Sequence, residues 1–189
     1  MADSVAGLIP SDDATASLDL EAARRWMETG VASGCARLGN RLGLHLFLSQ
    51  RRIFRPVGVG WCQHWEGVSK ATLGVHLRPQ DEDDAVQAVL SSSLRSVEPS
   101  REIVREMANV VLNGVTETLR RALDLELRSS LPHPETPTGV ELCRTGWKLA
   151  FPVHGFRFQV SFTCPEAEVD GMRRRMAESL ATLVEAVES

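Results

Sequence analysis

Two runs late in the chain constrain its fold more than any other feature. Trp147, Leu149, Phe151 and Val153 occupy alternate positions, and so do Phe156, Phe158, Val160 and Phe162 on the far side of His154-Gly155. A period of two places every second side chain on one face of a strand, and a short glycine-containing break turns the chain back antiparallel to itself. The segment therefore predicts a β-hairpin with one bulky apolar face, and that face must be covered.

The rest of the chain supplies both cover and further strands. Ser17 caps a predicted helix whose apolar positions Leu20, Ala23, Met27, Val31, Cys35 and Leu38 step by three and four. Leu44, Leu46 and Leu48 alternate as a strand. The stretches 52–60 and 68–77 read as extended segments around a turn region at 61–67, the second carrying Ala71, Leu73, Val75 and Leu77 on one side, which suggests an antiparallel meander. Residues 81–92 open with acids, which favour a helix N-terminus, and present Val86, Val89 and Leu90 inward. A main helix begins near Pro99. Ile103, Met107, Val110, Gly114, Val115, Leu119 and Ala122 form its apolar stripe, with Glu102, Glu106, Asn109, Asn113 and Glu117 on the opposite, solvent-facing side. Leu131-Pro132-His133-Pro134 and Pro137 break the helical pattern as a proline loop. Pro165 then opens a terminal helix with Val169, Met172, Met176, Leu180, Leu183 and Val187 at helical spacing. The fold class is α/β (α+β), a largely antiparallel sheet covered by two or three helices with an extra C-terminal helix. Residues 1–16 are expected to be a flexible tail, 17–164 the domain, and 165–189 an amphipathic helix packed on the domain or at an interface.

A length of 189 residues suits one domain with a substantial core. A net charge of -4 argues against nucleic acid as a partner, because displacing counterions from phosphates needs a positive surface. Arg173-Arg174-Arg175 fits the solvated face of the terminal helix. The sequence holds no 18-residue apolar run and starts with an acidic Met1-Ala2-Asp3-Ser4, so no membrane span or secretory signal is expected and the location should be cytoplasmic. Cys35, Cys62, Cys143 and Cys164 lack Cys-x-x-Cys spacing and read as reduced thiols. His45, His64, His76, His133 and His154 have no i, i+4 pairing or Cys neighbour at metal spacing. Gly58-Val59-Gly60 lacks the third glycine of a phosphate loop, and Gly-x-Ser-x-Gly does not occur. No cofactor or metal of the chain's own is expected.

The chemistry that stands out is Glu106-Met107-Ala108-Asn109. Three positions apart on a helix, a carboxylate and a carboxamide share one face and meet a docking partner together. The carboxamide is neither acid nor base, but it both accepts from and donates to a water, so it can hold that water in a fixed orientation.

Glu106-x-x-Asn109, the Asn113-Gly114 pair one turn on, Thr118-Leu119, Leu131-Pro132 and Gly139 leading into strands together resemble the CheC/CheX/FliY family of chemotaxis phosphatases, most closely its single-centre CheX type. The resemblance covers roughly residues 18 to 163. Glu28-x-x-Val31 on the first helix stands where a second Glu-x-x-Asn would be needed for a two-centre layout. One departure is Glu102, at a position where the family usually has Ser or Asp. The resemblance implies a phosphatase that accelerates hydrolysis of the aspartyl phosphate of a CheY-like response regulator in two-component signalling. In that reading Asn109 orients the water, Glu106 docks by pairing with a receiver lysine, and Glu102, Asn113 and Pro132 support the centre. The Mg²⁺ belongs to the phosphorylated receiver, and a homodimer is implied. The alternative is a non-catalytic binding or assembly module of the same fold in a signalling or motor-switch complex.

Overall fold

The computed structural model describes residues 12–53, 60–67, 70–92 and 101–188. In chain order the elements are α1 (Asp12–Leu42), β1 (Phe47–Gln50), β2 (Gly60–Gly67), β3 (Ala71–His76), α2 (Pro79–Ser92), α3 (Arg101–Ala122), β4 (Leu127–Ser129), β5 (His133–Glu135), β6 (Val140–Ala150), β7 (Gly155–Cys164), a single 3-10 turn (Glu166–Glu168) and α4 (Val169–Glu188). The strands form one seven-stranded antiparallel sheet in the order β1-β6-β7-β3-β2-β4, with β5 also paired to β2. The architecture is the expected helix-covered antiparallel sheet. Its centre is the expected hairpin, in which Trp147 lies opposite Phe158 and Leu149 opposite Phe156, all buried.

Several elements differ from the sequence reading, each for a physical reason. Helix α1 starts at Asp12, so residues 12–16, assigned to the tail, are helical. The expected turn region 61–67 is strand β2. Its core-facing positions include Gln63, and that polar residue erases the apolar alternation by which a strand is recognised. The proline loop contains β5, and β4 lies just before it. Pro134 fits in β5 because this short strand pairs with β2 alone among the described residues, which leaves an unpaired side for a residue without an N–H. In α2 it is Ala85 and Ala88 that are fully buried, while Val86, Val89 and Leu90 are half-buried. Residues 54–59, Val68 and Pro99 lie outside the described residues. Among those described, no helix is long and apolar enough to cross a membrane.

Glycines set the distance between α1 and α3. A Cβ at Gly114 would lie 2.6 Å from the Gly30 carbonyl oxygen and from the Gly34 nitrogen, and one at Gly34 would lie 2.7 Å from the Val111 Cα. The two helices thus touch backbone to backbone. Val104, Val111, Leu112 and Thr116 are buried in addition to most of the predicted stripe, because α3 is covered by α1 on one side and the sheet on the other. Helix α4 packs against α1, with Met172 and Met176 buried in the core and the Ser179 hydroxyl donating to the Ala122 carbonyl.

The sheet face away from the apolar core carries polar groups that are buried as well. Gln159, Ser161, Thr163 and His76 are each less than 5% exposed. His76 Nε2 bonds the Ser161 hydroxyl at 2.8 Å. Burial, reinforced by the Arg144 guanidinium, lowers the His76 pKa from 6.5 to about 4.

Two expectations follow from these contacts. Gly114→Ala gains at most about 1 kcal/mol of helix propensity, whereas forcing a Cβ against a neighbouring backbone typically costs about 1–3 kcal/mol. The clash should win and lower the denaturant midpoint. Gly171→Ala on α4, where an added Cβ meets nothing within 4 Å among the described residues, should raise it. For His76, the unfolded chain takes up its proton below pH 6.5 while the folded chain resists until about pH 4. The unfolded state therefore binds more protons in that window, and stability falls as pH drops through it, by up to about 3 kcal/mol. Denaturation of His76→Gln between pH 4 and 7 should show a flatter pH dependence than the parent chain.

Candidate functional site

Helix α3 presents its polar residues in two different ways. Met107, Ala108 and Val110 bury the helix on either side of the motif, which leaves Glu106 exposed and Asn109 and Asn113 half-buried. The geometry brings Asn109 and Asn113 together: Asn113 Nδ2 donates to Asn109 Oδ1 at 3.2 Å. Asn113 in turn is held by the sheet, since Gln63 Nε2 of β2 donates to Asn113 Oδ1 at 3.0 Å. The Thr116 hydroxyl donates to Gln63 Oε1 at 2.9 Å, and Trp65 Nε1 donates to the Thr116 oxygen at 3.2 Å.

These four bonds form a chain with a direction. An indole nitrogen can only donate, so the Thr116 oxygen accepts there and spends its proton on Gln63, whose amide passes the polarity to Asn113 and then to Asn109. The Asn109 oxygen receives the last of these bonds. Among the described residues its second lone pair and both N–H groups make no further bond, so they remain for a ligand or partner. Gln63, Thr116 and Trp65 were not among the residues singled out from sequence. The available signal was a glutamine at a position alternating with apolar residues in a strand.

Glu106 lies one turn before Asn109 and makes no side-chain hydrogen bond or ion pair among the described residues, so its carboxylate is free to meet a partner. Glu102, by contrast, is engaged by Arg105 Nη2 at 2.6 Å and is not a second free acid. Glu117, further along the polar stripe, is bonded by Arg37 of α1 at 2.5 Å and by Arg121. The bond from Arg37, then the charge of Arg121, hold its carboxyl below the usual range. Pro132 is buried beside the exposed Leu131, in a segment latched to β2. That latch is double: Ser130 N–H donates to the His64 carbonyl at 3.0 Å, and His64 N–H to the Ser130 hydroxyl at 3.0 Å.

Other reactive groups are accounted for. All four cysteines are free thiols. Burial pushes Cys35 and Cys62 up to about 12 and Cys143 up to about 11, so none of these three is a thiolate at neutral pH. The histidines do not all stand alone, however. His64 of β2 and His133 of β5 meet Glu135, each Nε2 lying 2.7–2.8 Å from Glu135 Oε2. Bonds from His64 and then His133, against some desolvation, hold the Glu135 carboxyl below its usual range. The sequence search by helical or Cys spacing missed this group because His64 and Glu135 are 71 positions apart.

No family model matches the chain, and no curated protein matches it by sequence. Among solved structures it is similar to FliY from Thermotoga maritima, with a TM-score of 0.56 and 12% identity over 91% of this chain and 100% of that one. It is also similar to the FliM middle domain from H. pylori, with a TM-score of 0.54 and 7% identity over 83% and 97% of the two chains. A third likeness is to the chemotaxis protein CheX from Vibrio vulnificus, with a TM-score of 0.51 and 13% identity over 73% and 99%. At such identities the likeness carries the fold alone. The chain thus has the fold of the CheC/CheX/FliY family, with Glu106 and Asn109 on a helix that the sheet holds in place by a directed chain of hydrogen bonds.

Proposed function

We propose that this chain binds a phosphorylated CheY-like receiver and accelerates hydrolysis of its aspartyl phosphate. The observation that carries this reading is the held carboxamide of Asn109, one helical turn from a free, exposed carboxylate at Glu106. The receiver already supplies an activated acyl phosphate and a Mg²⁺ ion, so what remains for a partner is to place one water in line. The second lone pair of Asn109 Oδ1 accepts a hydrogen bond from that water and turns its oxygen toward phosphorus. A hundredfold acceleration requires only about 2.7 kcal/mol, which positioning alone can supply. Glu106 sets the register by pairing with a receiver lysine, and Asn113 holds Asn109 from behind.

A second reading, a binding or assembly module without catalysis, draws support from the likeness to the FliM middle domain. It also draws support from Glu102, which is tied up by Arg105 and adds nothing to docking. The two readings separate in one assay. A receiver phosphorylated by a small-molecule donor is mixed with the chain and phosphate loss is followed. The phosphatase reading expects faster decay, and an unchanged decay rate with measurable binding would leave the module reading.

Asn109→Ala should leave the fold intact, with a stability change within about 0.5–1 kcal/mol, while slowing receiver dephosphorylation at least about tenfold. Turnover that persists in the folded variant would remove Asn109 from the mechanism. Glu106→Lys should instead weaken binding as well as turnover, because it sets like charges against each other at the docking lysine. Titration of the phosphorylated receiver measures this directly, and undiminished affinity would be inconsistent with a docking role.

A further inference from the structure

We infer that His64, His133 and Glu135 form a binding site for a divalent first-row transition-metal ion of the Zn²⁺ class. The three side chains come from adjacent strands: His64 from β2, and His133 and Glu135 from β5, where alternation puts both on one face. Their donor atoms converge. His64 Nε2 and His133 Nε2 are 3.2 Å apart, and Glu135 Oε2 lies 2.7 Å from the first and 2.8 Å from the second. An ion about 2.1 Å from each donor, the usual Zn–N distance, sits off the plane of the three and subtends angles of roughly 80–100°. That is a facial cap with the opposite side left for water or a further ligand.

The surroundings prepare both imidazoles for this role. His64 Nδ1 lies 2.9 Å from the Thr72 hydroxyl, and His133 Nδ1 is 3.4 Å from the Leu131 carbonyl. With its proton on Nδ1, against these oxygens, each ring frees the Nε2 lone pair for an ion. An acceptor behind each ring is the usual outer shell of metal-bound histidine. Without an ion, a proton on Nε2 of His64 or His133 instead bonds the Glu135 carboxylate. A proton bridges one pair at a time, whereas a metal ion meets all three donors together. Two imidazoles and one carboxylate select Zn²⁺, Co²⁺, Ni²⁺ or Cu²⁺ over Mg²⁺, which prefers oxygen. The side chains are accessible, with His64 34%, His133 46% and Glu135 32% exposed.

The site faces away from the hydrogen-bond chain of Gln63 and does not depend on the receiver reading. Its effect on the fold would be to clamp β5, and with it the Leu131-Pro132 segment, onto β2.

The test uses the full chain stripped of metal and titrated calorimetrically with Zn²⁺ and with Mg²⁺, alongside Co²⁺ titration followed by visible absorption. One equivalent of Zn²⁺ should bind, raise the melting temperature and displace Co²⁺ from a site with visible ligand-field bands. His64→Ala, His133→Ala and Glu135→Gln should each weaken Zn²⁺ at least about tenfold and alter the Co²⁺ spectrum, with circular dichroism confirming that the variants fold. Failure to bind Zn²⁺ at 100 μM on the order of a weak site's Kd would overturn the inference. So would equal binding by the His64→Ala/His133→Ala double variant, or Mg²⁺ binding as tightly as Zn²⁺.

Discussion

The backbone contact between α1 and α3 is the constraint on which the rest of the molecule depends. Gly30 and Gly34 on one helix and Gly114 on the other remove the side chains that would otherwise hold the axes apart. With α1 pressed so closely on its outer side, α3 is seated against the sheet at a depth that lets Asn113 reach Gln63 of β2. Interiors are packed densely enough that a shift of one helix cannot be absorbed locally. A hydrogen bond tolerates only a few tenths of an ångström before it weakens. Helix packing and the orientation of the Asn109 amide are therefore one problem, solved by the same glycines.

The hydrogen-bond chain from Trp65 to Asn109 explains why polar groups sit inside an otherwise apolar layer. Gln63 is 1% exposed and Thr116 8%, burial that would cost about 1–3 kcal/mol for each group left unpaired. Because every member has a partner, that cost is offset and the network gains rigidity. Holding the amide in advance also removes rotamer entropy that would otherwise be lost when a partner docks. Such a network is more than two ordinary surface residues on a core helix would require, and it gives Asn113, expected only as a supporting residue, a definite task.

How much of this was legible in the sequence follows from the periodicity of each element. The hairpin of β6 and β7 stood out because Trp147, Leu149, Phe156 and Phe158 pack on one face with nothing polar among them. Helix α3 and its Glu106-x-x-Asn109 motif stood out for the same reason, an apolar stripe against a polar one. Strand β2 did not, since Gln63 turns inward and Cys62 and His64 turn outward, so neither face reads as apolar or polar throughout. The two short strands β4 and β5 were hidden by length, as three residues carry no period, and β5 also by Pro134. What binds Gln63 to Asn113, or His64 to Glu135, is contact across 50 and 71 positions, and no local pattern encodes that.

Strand β2 is where these threads meet, and its two faces do different work. One side chain of the neighbouring pair, Gln63, turns toward α3 and fixes the amide of Asn113. The other, His64, turns away and joins His133 and Glu135. The backbone of His64 meanwhile grips Ser130 on both its N–H and its carbonyl. A strand bonded to β3 along one side and to β4 and β5 along the other has little freedom to slip. A change of register by one residue would exchange Gln63 for His64 on the inner face and break both arrangements together. The polar residues that make β2 hard to recognise are thus the ones that specify its register, and the position of Asn109 inherits that specificity.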